Sequence, residues 1–239
     1  MKYELVKSEL DWIDFVPSHW RKDKIFRIAE RITSGGTPSS GNESYYDGDI
    51  YWIQSGDLND SYIYETEKKI TQSGLDNSSA KLFPPDTLLI AMYGASIGKL
   101  GIQTMEAATN QACCAIIPTN KLKVKFLYYF FLAMRDKLIS DAYGGGQPNI
   151  SQSVIKQTYF YYPTNLDEQQ AIIDYLDKVC SDLDNVIRLK VGKVKVDDND
   201  SESQLNILRK YKKSIIHEVV SGKKQVFGLT KEKQQMQTA

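Results

Sequence analysis

"YPTNLDEQQAIIDYLD", residues 162–177, decides the fold, because the apolar spacing changes at Pro163. Before that proline, apolar residues come in short runs bounded by glycine and proline. After it, Ile172, Leu176, Val179, Leu183 and Val186 recur at alternating steps of four and three, the spacing of an a/d helical seam. Asn165, followed three positions on by Glu168, makes an expected capping box at the start of that helix. A second seam runs through Leu205, Leu208, Ile215 and Val219. Between the seams lies "VGKVKVDDNDSES" (191–203), rich in poor helix formers, with Ser201 and Gln204 spaced to cap a restarted helix. The region is therefore expected as one or two long amphipathic helices packed lengthwise against another helix. The competing reading is a helix folded back on its own globular domain.

Residues 1–163 read as mixed strand and loop with short helices. "DIYWIQSGDL" (49–58), "DTLLIAMYG" (86–94), "ACCAIIP" (112–118) and "YFYYP" (159–163) are expected strands, each ended by Gly or Pro. "WRKDKIFRIAERI" (20–32) is a strand or short helix running into a glycine turn. "VKFLYYFFLAMRDKLIS" (124–140) switches to the helical period, with Phe126, Tyr129, Phe130, Ala133, Met134 and Leu138 on one face. The fold class is α+β: a mixed domain with an irregular sheet, then a coiled-coil-like helical region.

The chemistry expected of an enzyme is missing from these motifs. "LLIAMYGASIGKLGI" (88–102) suggests a P-loop, but only three residues separate Gly94 from Gly98, and Lys99 is followed by Leu100 rather than a hydroxyl. "FPPD" (83–86) has the aromatic and polar positions of a methyltransferase catalytic loop reversed. "ETEKK" (65–69) reads as a solvated charged face, and no carboxylate cluster suggests a metal-dependent nuclease. With two histidines and three cysteines, of which Cys113 and Cys114 are adjacent, neither a zinc site nor a disulfide framework is expected. No cofactor and no metal are expected. Thirty basic residues balance thirty acidic ones, so any grip on nucleic acid must come from a local surface or a basic partner. The 15 tyrosines suit interfaces and base stacking, though sheet and core-edge positions account for most of them. "MKYELVKSEL" has no signal-peptide apolar core and no run reaches membrane-span length, so a cytoplasmic protein is expected.

Taken in order, the motifs resemble the DNA-specificity (S) subunits of type I restriction-modification systems. The carrying residues are "VPSHW" (16–20), "SGGTPS" (34–39), "GDIYWIQSGDL" (48–58) and "SSAKLFPPDTLLIAMYGASIGKLGI" (78–102). They continue in "ATNQACCAIIP" (108–118), "GGGQPNIS" (144–151), "YPTNLDEQQAIIDYLD" and "YKKSIIHEVVSGK" (211–223). The resemblance implies a target-recognition domain over 1–163, a helical conserved region over 164–223 for dimerisation and methyltransferase docking, and a tail over 224–239. Such subunits are non-catalytic. They bring modification subunits, and through these the restriction translocase, to a bipartite sequence in double-stranded DNA.

Within that frame, the glycine-lysine turn carrying Ser96 and Lys99 is either a DNA-backbone contact or a structural turn. Ser34 and Thr37 of "SGGTPS" reach phosphates or cap a turn. Gln54, Asn110, Gln111, Gln147 and Asn149 carry the paired donors and acceptors that base reading needs. Residues common to subunits with different targets cannot specify bases, so the readers are expected in "GNESYYDG" (41–48) or 59–77. The family usually carries two recognition domains and two helical regions, and here one of each is found. A homodimer through the Ile172, Leu176, Val179, Leu183, Leu208 and Ile215 seam is the economical solution, and its two-fold symmetry implies a palindromic site. A stand-alone nuclease or methyltransferase with an unrecognised site is the rival reading.

Overall fold

A computed structural model describes residues 3–142, 148–191 and 199–227 of the chain. The fold divides into two compact units, Met1–Arg21 with Tyr161–Ala239, and Lys22–Phe160. The expected domain 1–163 differs from this in one respect. Its end lies close to the division at Phe160, but the first 21 residues go with the helices.

The reason is a set of buried and part-buried polar links. The N-terminal segment forms a hairpin of β1 (Leu5–Lys7) and β2 (Phe15–Pro17). Trp20 Nε1 then donates to Glu168 Oε1 at 2.9 Å, and His19 Nε2 lies 3.0 Å from Glu168 Oε2. His217 Nε2 meets the carbonyl of Trp12 at 2.8 Å, and Gln225 exchanges two hydrogen bonds with the backbone of Tyr3. Glu168 is buried, so these partners offset the cost of removing a carboxylate from water.

The Lys22–Phe160 unit is built in chain order. β3 (Arg21–Lys24) runs into one helical turn, α1 (Ile25–Ile28), and then β4 (Ala29–Ser34), so the strand-or-helix segment is both. β5 (Tyr46–Ile53), β6 (Ser61–Ile63), β7 (Lys69–Ile70), α2 (Gln72–Asp76) and β8 (Leu82–Phe83) follow. β9 (Thr87–Ala91), β10 (Leu100–Gln103), β11 (Ala107–Thr109) and β12 (Cys113–Pro118) complete its sheets. One sheet has the order β4-β12-β9-β10-β6, the other β7-β5-β11-β8. Only β10–β6 and β11–β5 are parallel among the registered pairs.

All five residues of β9 are buried, which explains why it reads as a continuous apolar run rather than an alternating one. Leu89 and Ala91 pack with Ile53, Phe83, Cys113 and Ala115. α3 (Val124–Ser140) packs against β9 and β10. Its buried face is wider than the six expected positions, because Leu127, Tyr128 and Phe131 are buried too. α4 (Gln152–Gln157), capped by Ser151, leads to β13 (Tyr159–Tyr162).

Beyond Pro163, α5 (Leu166–Val191) and α6 (Asn199–Val220) are two helices, not one. Asn165 does cap α5, its Oδ1 accepting from the amides of Asp167 and Glu168 at 2.7 and 3.2 Å. The Glu168 side chain is turned instead to Trp20 and His19. α6 already includes Asn199, so Ser201 lies within it, and the stretch 192–198 lies outside the described residues. Lys212 Nζ meets both carboxylate oxygens of Asp184 at 2.7 Å, and Lys190 donates to Gln204. Those two pairings make α5 and α6 an antiparallel hairpin. No helix among the described residues is long and apolar enough to cross a membrane.

A candidate nucleic-acid interface

Register places five loops at one end of the Lys22–Phe160 unit. Ser34 at the end of β4 lies opposite Cys114, and Ala91 at the end of β9 lies opposite Cys113, so both strands finish where β12 starts. In the other sheet Ile53 ends β5 beside Thr109, which ends β11. The segments 34–37, 54–57, 92–99 and 110–112 therefore share one rim. Ile150 joins them, its amide donating to the carbonyl of Met92 at 2.8 Å.

Seven of the eight expected DNA-contacting residues lie on this rim. Ser34 accepts from Gln152 Nε2 at 2.9 Å, and Thr37 donates to Gln111 Oε1. Thr37 and Gln111 are both exposed. Gln54 is half-buried and forms a reciprocal capping box with Asp57, whose Oδ2 accepts from the Gln54 amide at 2.7 Å. Ser96 is half-buried, while Lys99 and Asn149 are exposed. Gln147 lies outside the described residues. Asn110 serves the turn itself, its Oδ1 accepting from Ala112 N at 3.1 Å.

The two glycines of the lysine turn have different tasks. Gly94 (φ +78°) has open space where a Cβ would stand, whereas Gly98 (φ +75°) would press a Cβ to 2.9 Å from Ile139 of α3. Gly98 is thus a packing glycine, and the face around Gly94–Ser96 is accessible to a ligand. In "SGGTPS", a Cβ on Gly35 would come within 1.9 Å of the Thr109 carbonyl oxygen. These glycines let the Ser34–Thr37 loop lie against β11 while its side chains face outward.

Lys81 and Gln152 are rim residues that sequence reasoning passed over. Lys81 Nζ reaches Thr33 Oγ1 at 3.0 Å and the Ser34 carbonyl at 3.2 Å. Both side chains arrive from distant sequence positions, so no local spacing signals them. Of the expected base-reading stretches, the Tyr46–Gly48 part of 41–48 starts β5, the end opposite Gln54. Asn59 is exposed next to Asp60, whose amide donates to Leu100 at 2.8 Å.

The seam residues fall into two groups. Ile172, Leu176 and Ile215 are buried, and Val179, Leu183 and Leu208 are half-buried, along a hairpin whose two helices belong to one chain. The seams of α5 and α6 thus face each other before any second chain is needed. Toward the other end, Val186, Leu189, Val191, Ile207 and Tyr211 are exposed.

Cys113 and Cys114 are buried beneath the rim. Burial raises both thiols, Cys114 to about 12, which removes thiolate chemistry at neutral pH. Among the described residues no group of three or more His, Cys, Asp or Glu is placed to hold a metal ion.

The arrangement defines a class: a mixed α+β unit whose loops present hydroxyl, amide and ammonium groups on one rim, in a chain with a helical hairpin. Residues 17–193 match the family model described as the type I restriction modification DNA specificity domain. The chain belongs to that family. It is 32% identical over 183 residues to the type I restriction enzyme MjaIX specificity subunit of Methanocaldococcus jannaschii, covering 74% of this chain and 42% of that one. It is 29% identical to the EcoR124I/EcoR124II specificity subunit of Escherichia coli, over 60% of this chain and 37% of that one. Its fold is similar to that of the HsdS subunit from Thermoanaerobacter tengcongensis (TM-score 0.57, 20% identity, 91% of this chain and 48% of that one). A chain from a study of complex assembly and conformational transition of the type I R-M system gives a TM-score of 0.61 at 18% identity, over 91% and 49%. The chain thus spans less than half the length of these relatives.

Proposed function

We propose that this chain is a non-catalytic DNA-specificity subunit carrying one reader. Its Lys22–Phe160 unit reads one half of a bipartite target through the loop rim. Its helical hairpin docks the methyltransferase subunits, and through them the restriction translocase, in the cytoplasm. The observation that carries the reading is the convergence of Ser34, Thr37, Gln54, Ser96, Lys99, Gln111 and Asn149 at one end of two sheets. Amide and hydroxyl groups there suit base edges and phosphates, and Lys81 and Lys99 supply local positive charge in a chain whose net charge is zero.

One reader per chain and a two-part target call for a second reader. A homodimer supplies it, and its two-fold axis makes the target two identical inverted half-sites. The buried seam is already used within each hairpin, so the exposed set Val186, Leu189, Val191, Ile207 and Tyr211 is the apolar surface that supports self-association. The test is duplex binding by the chain alone and with its modification subunit. Salt-dependent, sequence-specific binding with the modification subunit is expected. Sequence-specific methylation by the modification subunit without this chain would refute the reading.

A further inference from the structure

Thr37 and Gln111 stand 74 residues apart in sequence, and their side chains bridge two loops of the rim, the Thr37 hydroxyl donating to Gln111 Oε1. Both residues are exposed, while the backbone on either side of each is tied down. Before Thr37, the Gly36 amide donates to the Thr109 carbonyl at 2.9 Å, and the Gly36 carbonyl accepts from Trp52 Nε1 at 3.1 Å. After it, the Pro38 carbonyl accepts from the Tyr46 hydroxyl at 2.7 Å. Beside Gln111, the Asn110 amide donates to the Ile53 carbonyl at 2.9 Å, and the Ala112 carbonyl accepts from the Met92 amide at 2.8 Å. Two pinned loops thus hold an exposed bond that water competes for, and such a bond adds little to stability.

That bond decides what Gln111 can offer a ligand. A glutamine reads adenine with its oxygen and its amide group together, and here the oxygen is taken by Thr37. What remains is a donor: among the described residues nothing accepts from Gln111 Nε2. A phosphate oxygen takes donors only. Guanine also offers acceptors, but "SGGTPS" and "ATNQACCAIIP" are among the stretches that carry the family resemblance. A contact shared by subunits with different targets cannot select a base.

We propose that Gln111 donates its side-chain amide to a DNA phosphate, and that Thr37 is the positioning residue that presents the amide by holding its oxygen. The inference rests on the DNA-reading function proposed above. The contact is neutral, so it adds affinity for every sequence without releasing a counterion.

The test uses the full chain with its modification subunit and two labelled duplexes, one carrying the methylated motif and one scrambled, titrated between about 50 and 200 mM salt. Gln111→Ala should weaken both duplexes about tenfold and leave the salt slope within about 0.3 of the wild type. Thr37→Val, which keeps the shape and loses the hydroxyl, should weaken both in the same way, and Thr37→Ser should restore binding. Thr37→Val with Gln111→Ala should bind no more weakly than Gln111→Ala alone, since Thr37 acts only through Gln111. Gln111→Lys should raise the magnitude of the slope by about 0.9, the mark of a phosphate within reach. With motif preference intact in the wild type, unchanged binding in Gln111→Ala overturns the contact, and so does an unmoved slope in Gln111→Lys. A loss confined to the motif duplex makes Gln111 a base reader and overturns it too. Additive losses in the double variant overturn the positioning role of Thr37. A wild-type complex with no preference for its motif overturns the contact and the DNA-reading function together.

Discussion

Arg135 on α3 forks onto Asp60, Nη1 donating to Oδ2 at 2.9 Å and Nη2 to Oδ1 at 2.5 Å. Asp60 sits in the left-handed region (φ +63°), where its carboxylate also accepts from Leu100 N at 3.0 Å. Its carbonyl accepts from Tyr128 at 2.7 Å. One residue thus ties α3 to the first residue of β10, and so steadies the 92–99 turn that carries Lys99. Asp60→Ala removes both charge-assisted bonds and leaves the Arg135 guanidinium half-buried without its carboxylate. A loss of about 2 kcal/mol in urea unfolding is expected, given partial solvent screening of the pair. Asp60→Asn, which suits the same backbone conformation, should cost less. An Asp60→Ala variant within about 0.5 kcal/mol of wild type would show that the fork does not hold α3 in place.

Gly35 and Lys99 separate packing from contact on the rim. Gly35→Ala drives a methyl into the Thr109 backbone, so the Ser34–Thr37 loop must move; stability and DNA binding should fall together. Lys99→Gln replaces an exposed side chain. Its melting temperature should match the wild type while DNA affinity drops across all sequences and the salt slope loses about 0.9. Sequence-selective loss in Lys99→Gln would make it a base reader and contradict its assignment to the backbone.

The three cysteines give a chemical probe of the core. All are buried, and burial holds the Cys113 and Cys114 thiols well above their usual range. Native protein at pH 8 should react with a disulfide reagent only on the timescale of unfolding, and denatured protein should titrate three thiols. Rapid labelling of Cys113 or Cys114 in the native state would contradict their place under the rim.

Two helix variants, one single and one double, distinguish fold from assembly. Leu176 is fully buried in the helical unit, so Leu176→Asp should destabilise a single chain by more than about 3 kcal/mol. Leu189 and Ile207 are 63% and 64% exposed, and the Asp184–Lys212 pairing sets them at one level of the hairpin. Leu189→Glu with Ile207→Glu should leave helix content and melting unchanged while converting dimers to monomers in light scattering. A double variant that stays dimeric would move the interface elsewhere.

Apolar period made much of this fold legible. β9, β12 and α3 stand where "DTLLIAMYG", "ACCAIIP" and the Phe126–Leu138 face put them, because burial on one or two faces leaves a local signature. The Asn165 cap was legible for the same reason, being a contact between near neighbours in sequence. Its Glu168 partner was not, since the bonds from Trp20 (buried) and His19 (part-buried) span nearly 150 residues and outweigh a surface capping bond. That same long-range link is why residues 1–21 join the helical unit. On the candidate rim, residue types pointed to Thr37, Gln111 and Lys99, but Lys81 and Gln152 emerge only when folding brings them to Ser34. The pairing of the two seams within one chain was likewise hidden, because an a/d pattern states that a helix has a partner and not which chain supplies it.

The most direct measurement is methylome sequencing of cells that express this chain with its modification subunit, alongside cells that express the modification subunit alone. The account predicts one methylated motif, made of two identical inverted half-sites around a fixed non-specific spacer, present only when the chain is present. Methylation of the same motif without the chain would contradict its role in specificity, and a motif with unlike halves would contradict the homodimer.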